Sequence, residues 1–169
     1  MFGPQGNLRI SVRDLGKVMR MLMAGGVHEG RRILAQRTVD EMLAPQWGFD
    51  GGNGAIDDGW HQGRYRAWGL GTQLFLDHGG PGAGDRLVAG GGFLAAGHLG
   101  GAYGLNAVFA FNRARRDGMI VVIGGTAFDP ATYPGEYSAF GRHEERILTA
   151  LYRWAIAGLG RTNANAQPR

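Results

Sequence analysis

Two serines, one lysine, five histidines and no cysteine make up the nucleophile and base inventory of this 169-residue chain. Ser11 stands where a helix cap belongs. Ser138 lies in Gly135-Glu136-Tyr137-Ser138-Ala139-Phe140, which is not the G-x-S-x-G turn that lifts a serine above a sheet. A Ser-x-x-Lys pair, whose lysine would take the serine's proton, is excluded, because Asp14 stands three residues before Lys17. Without cysteine there is no thiolate nucleophile, thiolate metal site or disulfide. His28, His61, His78, His98 and His143 contain no i, i+4 pair and no His-Glu-x-x-His, so no helical zinc site and no other metal site is predicted. The glycine-rich run His78–Gly92 has no Gly-Lys-Ser/Thr ending and no G-x-G-x-x-G opening a helix, so it is not a nucleotide loop, and no cofactor is predicted. His98 stands apart through its surroundings, Gly97-His98-Leu99-Gly100-Gly101-Ala102-Tyr103-Gly104. Small residues there let another backbone or a substrate come close to a strand edge.

The elements that must position these residues can be read from periodicity. Residues 1–10 read as an extended lead-in with a turn at Gly3-Pro4. Ser11 with Asp14 predicts a capped helix whose Leu15, Val18, Met19, Leu22 and Met23 form one buried face, ended by Gly25-Gly26. After a link over 27–36, Thr38-x-x-Glu41 predicts the start of a short second helix stopping near Pro45. Residues 48–66 read as a polar surface loop whose acidic spacing does not match an EF-hand. Residues 67–76 read as one strand with Trp68, Leu70, Thr72, Leu74 and Leu76 on one face. Gly104–Phe111 and Met119–Gly124 flank a polar turn, Asn112–Gly118, and predict a hairpin. A last helix is predicted from Arg142 to Gly158, with Ile147, Leu148, Leu151, Tyr152, Trp154 and Ala155 on a broad apolar face. Helices, then antiparallel strands, then a helix argue an α+β class, an antiparallel sheet flanked by helices. A single domain over residues 1–160 and a disordered tail over 161–169 are expected.

Composition sets the outer limits. The chain is 44% hydrophobic and 19% charged, a globular balance. Its 32 glycines are clustered and without a three-residue period, which suits loops and close approaches and excludes collagen. The 18 basic residues exceed the 14 acidic ones only slightly and are scattered without interleaved aromatics, so no nucleic-acid surface is expected. No apolar run is long enough to span a membrane, and residues 1–6 lack the basic and apolar regions of a signal peptide. The compartment is left open.

His98-Leu99-Gly100 followed by Gly104 resembles the third active-site motif of the serine β-lactamase and penicillin-binding-protein superfamily, in its class C-like branch. Other pieces occur in the family's order. They are Gly6-Asn7-Leu8 with Ser11-Val12-Arg13-Asp14-Leu15, and Met23-Ala24-Gly25-Gly26 with Gly30-Arg31-Arg32-Ile33-Leu34. Thr38-Val39-Asp40-Glu41-Met42, Trp68-Gly69-Leu70-Gly71 and the turn through Asn112–Gly118 follow. The resemblance covers residues 4 to about 158. It does not include the family's Ser-x-x-Lys and Tyr-x-Asn motifs, since none of Tyr65, Tyr103, Tyr133, Tyr137 and Tyr152 is followed by x-Asn.

The resemblance implies a partial β-lactamase-like fold and an acyl-transfer chemistry on an amide, peptide or ester substrate. His98, Leu99, Gly100 and Gly101 would form the substrate-binding wall. Gly101 would donate an oxyanion N–H and His98 would assist binding or proton traffic. No catalytic nucleophile is expected in this chain, so it reads as the C-terminal part of a family member. A truncated gene product or miscalled start is expected rather than an evolved short protein. Self-association through uncovered apolar surface is also expected. The alternative is a stand-alone, non-catalytic module that holds a peptide along the sheet edge near Gly100–Tyr103.

Overall fold

The structure, a computed structural model, describes residues 8–53, 63–102, 104–125 and 132–158. It is an α+β fold. The element order is α1 (Val12–Met23), β1 (Val27–His28), β2 (Arg31–Arg32), α2 (Gln36–Leu43), β3 (Trp47–Gly48), β4 (Ala67–Trp68), β5 (Gln73–Phe75), β6 (Ala95–Ala102), β7 (Leu105–Asn112), β8 (Asp117–Gly124) and α3 (Arg142–Leu151), which continues into a π-helical turn, Tyr152–Ala157. Strands β3 to β8 form one six-stranded sheet in sequence order, each pair antiparallel. No helix of the described residues is long and apolar enough to cross a membrane.

Side chains alternate between the two faces of the sheet, and each face carries a core. On one face Met19 and Leu22 of α1, Val39 of α2 and Phe111 of β7 form a core, with Ala96, Phe109 and Ile120 packed against it. On the other, Leu148 and Ile156 join Leu87, Val88, Phe93, Ala95, Val108, Ala110 and Val121. The register puts Leu99, Val108 and Val121 in one cross-strand row of this second face. His98, Phe109 and Ile120 form the neighbouring row on the first.

Ser11 caps α1: its Oγ accepts the Asp14 N–H at 3.1 Å and donates to Asp14 Oδ2 at 2.7 Å. Val18, expected in the buried face, is 38% exposed, because α1 meets the sheet chiefly through Met19 and Leu22. The expected link 27–36 contains a small hairpin, β1–β2, turning through Glu29 (φ 48°) and Gly30 (φ 77°). Helix α2 starts at Gln36 rather than Thr38. Ala35 is its cap without a side-chain bond, so Thr38 and Glu41 lie inside the helix.

The single strand expected over 67–76 is two strands. Gly69 to Thr72 turn the chain back, with Gly71 at φ 67° and the Gly69 N–H donating to the Thr72 carbonyl at 2.8 Å. A side chain at Gly69 would overlap the Met42 carbonyl oxygen, so glycine is what lets this turn sit against α2. Leu70 consequently lies at the turn, half exposed, and not on a shared face. Strands β7 and β8 confirm the expected hairpin, but its turn is Arg113–Arg116, and Asp117-Gly118 already belong to β8. In the last helix Ile147, Leu151 and Trp154 face outward, Trp154 being 86% exposed. The buried side is Glu145, Leu148, Thr149 and Ile156. Of the expected apolar face, Leu148 is buried and Tyr152 packs against the core, but a polar pair, Glu145 and Thr149, is satisfied inside and shares the inner positions. The expected tail 161–169, His61 and the lead-in residues 1–7 lie outside the described residues.

Candidate functional site

Strand β6 is paired unequally along its length. Ala95, Ala96 and Gly97 lie between β5 and β7. From His98 to Ala102 the strand pairs with β7 alone among the described strands. The cause is the turn at Gly69–Thr72: β5 begins at Gln73, opposite Gly97, so no β5 residue lies opposite His98. An unpaired strand edge carries N–H and C=O groups that another extended chain can bond.

The structure brings the four candidate residues together on this half-strand, with different roles for their side chains. His98 and Gly100 lie on the α1–α2 face and are exposed. Leu99 turns to the opposite face and packs on the α3 core, so only its backbone belongs to the edge. Gly101 is exposed and sits opposite Asn106.

The three glycines of the strand differ in what confines them. A Cβ on Gly97 would overlap the Phe109 carbonyl oxygen and come within 2.9 Å of the Ala110 Cα. Packing inside the chain therefore requires that glycine. A Cβ on Gly100 would meet only the Ala107 Cβ at 3.5 Å, and one on Gly101 only the Asn106 Oδ1 at 3.5 Å. Both are ordinary contacts. Among the described residues nothing else confines either position, and both are exposed.

His98 is oriented by two contacts. Its Nδ1 lies 2.5 Å from the Leu99 carbonyl oxygen. A carbonyl only accepts, so Nδ1 carries the hydrogen and Nε2 is the lone-pair nitrogen of the neutral ring. The ring meets the Trp68 ring edge-on at 5.5 Å, and Trp68 in turn stacks on Tyr65 at 6.2 Å. The row Tyr65–Trp68–His98 is not read from sequence. Only the Trp-Gly-Leu-Gly turn signal at 68–71 could have shown that Trp68 stops before the His98 edge rather than running past it.

Neither serine is presented as a nucleophile. Ser11 is engaged at the α1 cap. Ser138 is fully buried, and its Oγ donates to Glu145 Oε1 at 2.7 Å. Lys17 Nζ lies 2.7 Å from Asp14 Oδ1, a contact that holds the Asp14 carboxyl below and the lysine above their ordinary ranges. No group of three or more His, Asp or Glu able to hold a metal ion occurs among the described residues.

The glycine-rich run after β5 is organised by a buried carboxylate. Asp85, fully buried, accepts the Leu76 N–H at 2.6 Å and the His78 N–H at 2.7 Å, with His78 Nδ1 at 3.5 Å. Burial pushes its pKa above the usual carboxylate value, against the pull of these partners. Asp85 thus ties the backbone at the start of the run to its middle.

No protein-family model matches the chain, and no curated protein or solved structure is significantly similar to it.

Proposed function

We propose that this chain provides the substrate-binding strand of a β-lactamase-like serine acyl hydrolase, with the nucleophile supplied by polypeptide beyond these 169 residues. The observation that carries the reading is the outer edge of β6 from His98 to Gly101, which has no partner strand among the described residues and includes two glycines, Gly100 and Gly101, whose added Cβ atoms would make only ordinary contacts. In this reading the backbone of a peptide or acyl chain lies along that edge. The Gly101 N–H donates to the carbonyl oxygen as it gains charge during attack. His98, held by Leu99 and Trp68, offers Nε2 as a proton acceptor toward the reacting group. The strands β6 (Ala95–Ala102), β7 (Leu105–Asn112) and β8 (Asp117–Gly124) contain no Lys or Arg, and their one charged residue is Asp117. A substrate carboxylate would find no cation on them, which favours a neutral ester or amide.

The same free edge also supports the second reading, a non-catalytic module that holds an extended peptide. Turnover and binding, measured separately, distinguish the two. The chain alone is expected to leave a fluorogenic ester and a fluorescent β-lactam intact and to escape labelling by a fluorophosphonate. Fused after a segment carrying Ser-x-x-Lys and Tyr-x-Asn, it is expected to turn over the ester, and His98→Ala is expected to slow that turnover. Stoichiometric labelling of Ser11 or Ser138 in the chain alone would overturn the reading. Peptide binding along β6 with an inert fusion would favour the module.

A further inference from the structure

On the reverse side of the sheet from His98, a cleft of about 320 Å³ lies between residues 136–137 and the C-terminal helix. We propose that this cleft is a binding site for a small organic anion with a planar, apolar body, such as an aryl carboxylate. Its size falls at the lower end of ligand sites, about 300–1,000 Å³.

The floor is held by hydrogen bonds. The Tyr137 hydroxyl lies 2.7 Å from Thr149 Oγ1 and donates to the Glu145 carbonyl at 3.1 Å, and Thr149 Oγ1 accepts the Ala89 N–H at 2.9 Å. The Glu145 carboxylate is committed elsewhere. It accepts the Glu136 N–H at 2.7 Å, the Tyr137 N–H at 3.1 Å and the Ser138 hydroxyl at 2.7 Å. Glu136, the other acid of the lining, faces Arg142 at 3.4 Å.

The walls are basic and aromatic. Arg146 and Arg153 are exposed, and neither has an ion-pair partner among the described residues. From Arg146 to Gly158 they are the only charged residues. The positive charge of Arg153 acts on the Tyr137 hydroxyl, opposing the rise that burial causes in its pKa. Trp154 stands at the rim, 86% exposed. The change from α-helix to a π-helical turn at Tyr152 alters the pitch where Arg153 and Trp154 leave the helix, and such turns recur at functional sites. Two uncommitted guanidinium groups beside an exposed indole suit a carboxylate bonded by arginine and a flat ring stacked on tryptophan.

The test is calorimetric titration of the purified chain with 2-naphthoate, with 2-naphthalenemethanol as the uncharged analogue. Saturable naphthoate binding is expected, with the alcohol at least about tenfold weaker, since a charge-assisted bond is lost. Arg146→Gln, Arg153→Gln and Trp154→Ala, each at an exposed position, are each expected to weaken binding about tenfold. Arg116→Gln, on the hairpin turn beside α1, is expected to leave it unchanged. Amide shifts in the wild type are expected to centre on residues 136–137 and 146–154. Absence of saturable binding, equal affinity for the alcohol, equal loss in Arg116→Gln, or shifts centred elsewhere would each overturn the proposal.

Discussion

Gly97 and Gly100 stand three residues apart on one strand, and alanine at the two positions should act in opposite directions. At Gly97 the new methyl would enter the Phe109 carbonyl and crowd the Ala110 Cα, both backbone atoms of the adjacent strand in the middle of the sheet. Neither can move without breaking the β6–β7 ladder, so the cost sits at the upper end of overpacking, about 3 kcal/mol. For a chain of this size that lowers the melting temperature by about 6–12 °C. At Gly100 the methyl meets one ordinary neighbour, the Ala107 Cβ at 3.5 Å. Removing a glycine there restricts the unfolded chain and should stabilise the fold by about 0.5 kcal/mol, or about 1–2 °C. Thermal and urea melts of the two variants measure this directly. In the fusion carrying a nucleophile, Gly100→Val is expected to reduce turnover far more than stability, because the side chain occupies the substrate's approach. Equal destabilisation by the two alanine variants would refute the argument, since Gly100 would then be glycine for the fold's sake.

Asp85 predicts an acid-favoured stability increment. Its folded pKa is raised by burial, so its contribution is fully present below the ordinary carboxylate value near 3.8 and is lost as pH rises through the folded value. Asp85→Asn should remove that slope from the urea midpoint, whatever its effect on absolute stability, and an unchanged slope would assign it to another group. His98 should show the Nδ1–H tautomer in two-bond nitrogen–proton spectra of the neutral ring, and His98→Ala should leave the melting temperature within about 1–2 °C, as an exposed side chain does. An Nε2–H tautomer would contradict the Leu99 contact. The purified chain should self-associate, since Leu105 and Val122 on one face are 42% and 43% exposed and Leu94 is 54% exposed. Light scattering that reports a monomer at high concentration would contradict this.

The α+β class, the α1 cap and the β7–β8 hairpin were legible because each rests on local signals: a serine before an amphipathic run, a helix-period stripe, alternation around a polar turn. The errors fell where distant partners decide. Gly69 and Gly71 are glycines in an apolar run, and only the approach of the Met42 carbonyl makes the run fold back on itself. The C-terminal helix offered one broad apolar face, of which only Leu148 and Tyr152 meet the core. Its buried side also contains Glu145, which no hydrophobic scale would bury without knowledge of the three donors waiting in residues 136–138. At the candidate site, the small residues around His98 pointed to an accessible edge. The sequence could not show that the edge begins at His98, because that boundary is fixed by where the preceding turn ends.

The nearest-neighbour order of the sheet has a consequence for how the chain reaches its fold. Strands β6, β7 and β8 pair through adjacent hairpins, so their ladders close with little loop entropy. Joining β5 to β6 requires closing the longer segment 76–94, whose shape depends on Asp85. Within the large sheet the three-stranded meander therefore has the most local contacts, and the entropy of loop closure favours its pairing before that of β5. While β5 is still undocked, the whole length of β6 is a bare edge. In the folded chain β5 covers Ala95–Gly97, and His98–Ala102 has no partner strand on that side among the described residues. A bare edge of this kind is also open to pairing with the same strand of another nascent copy.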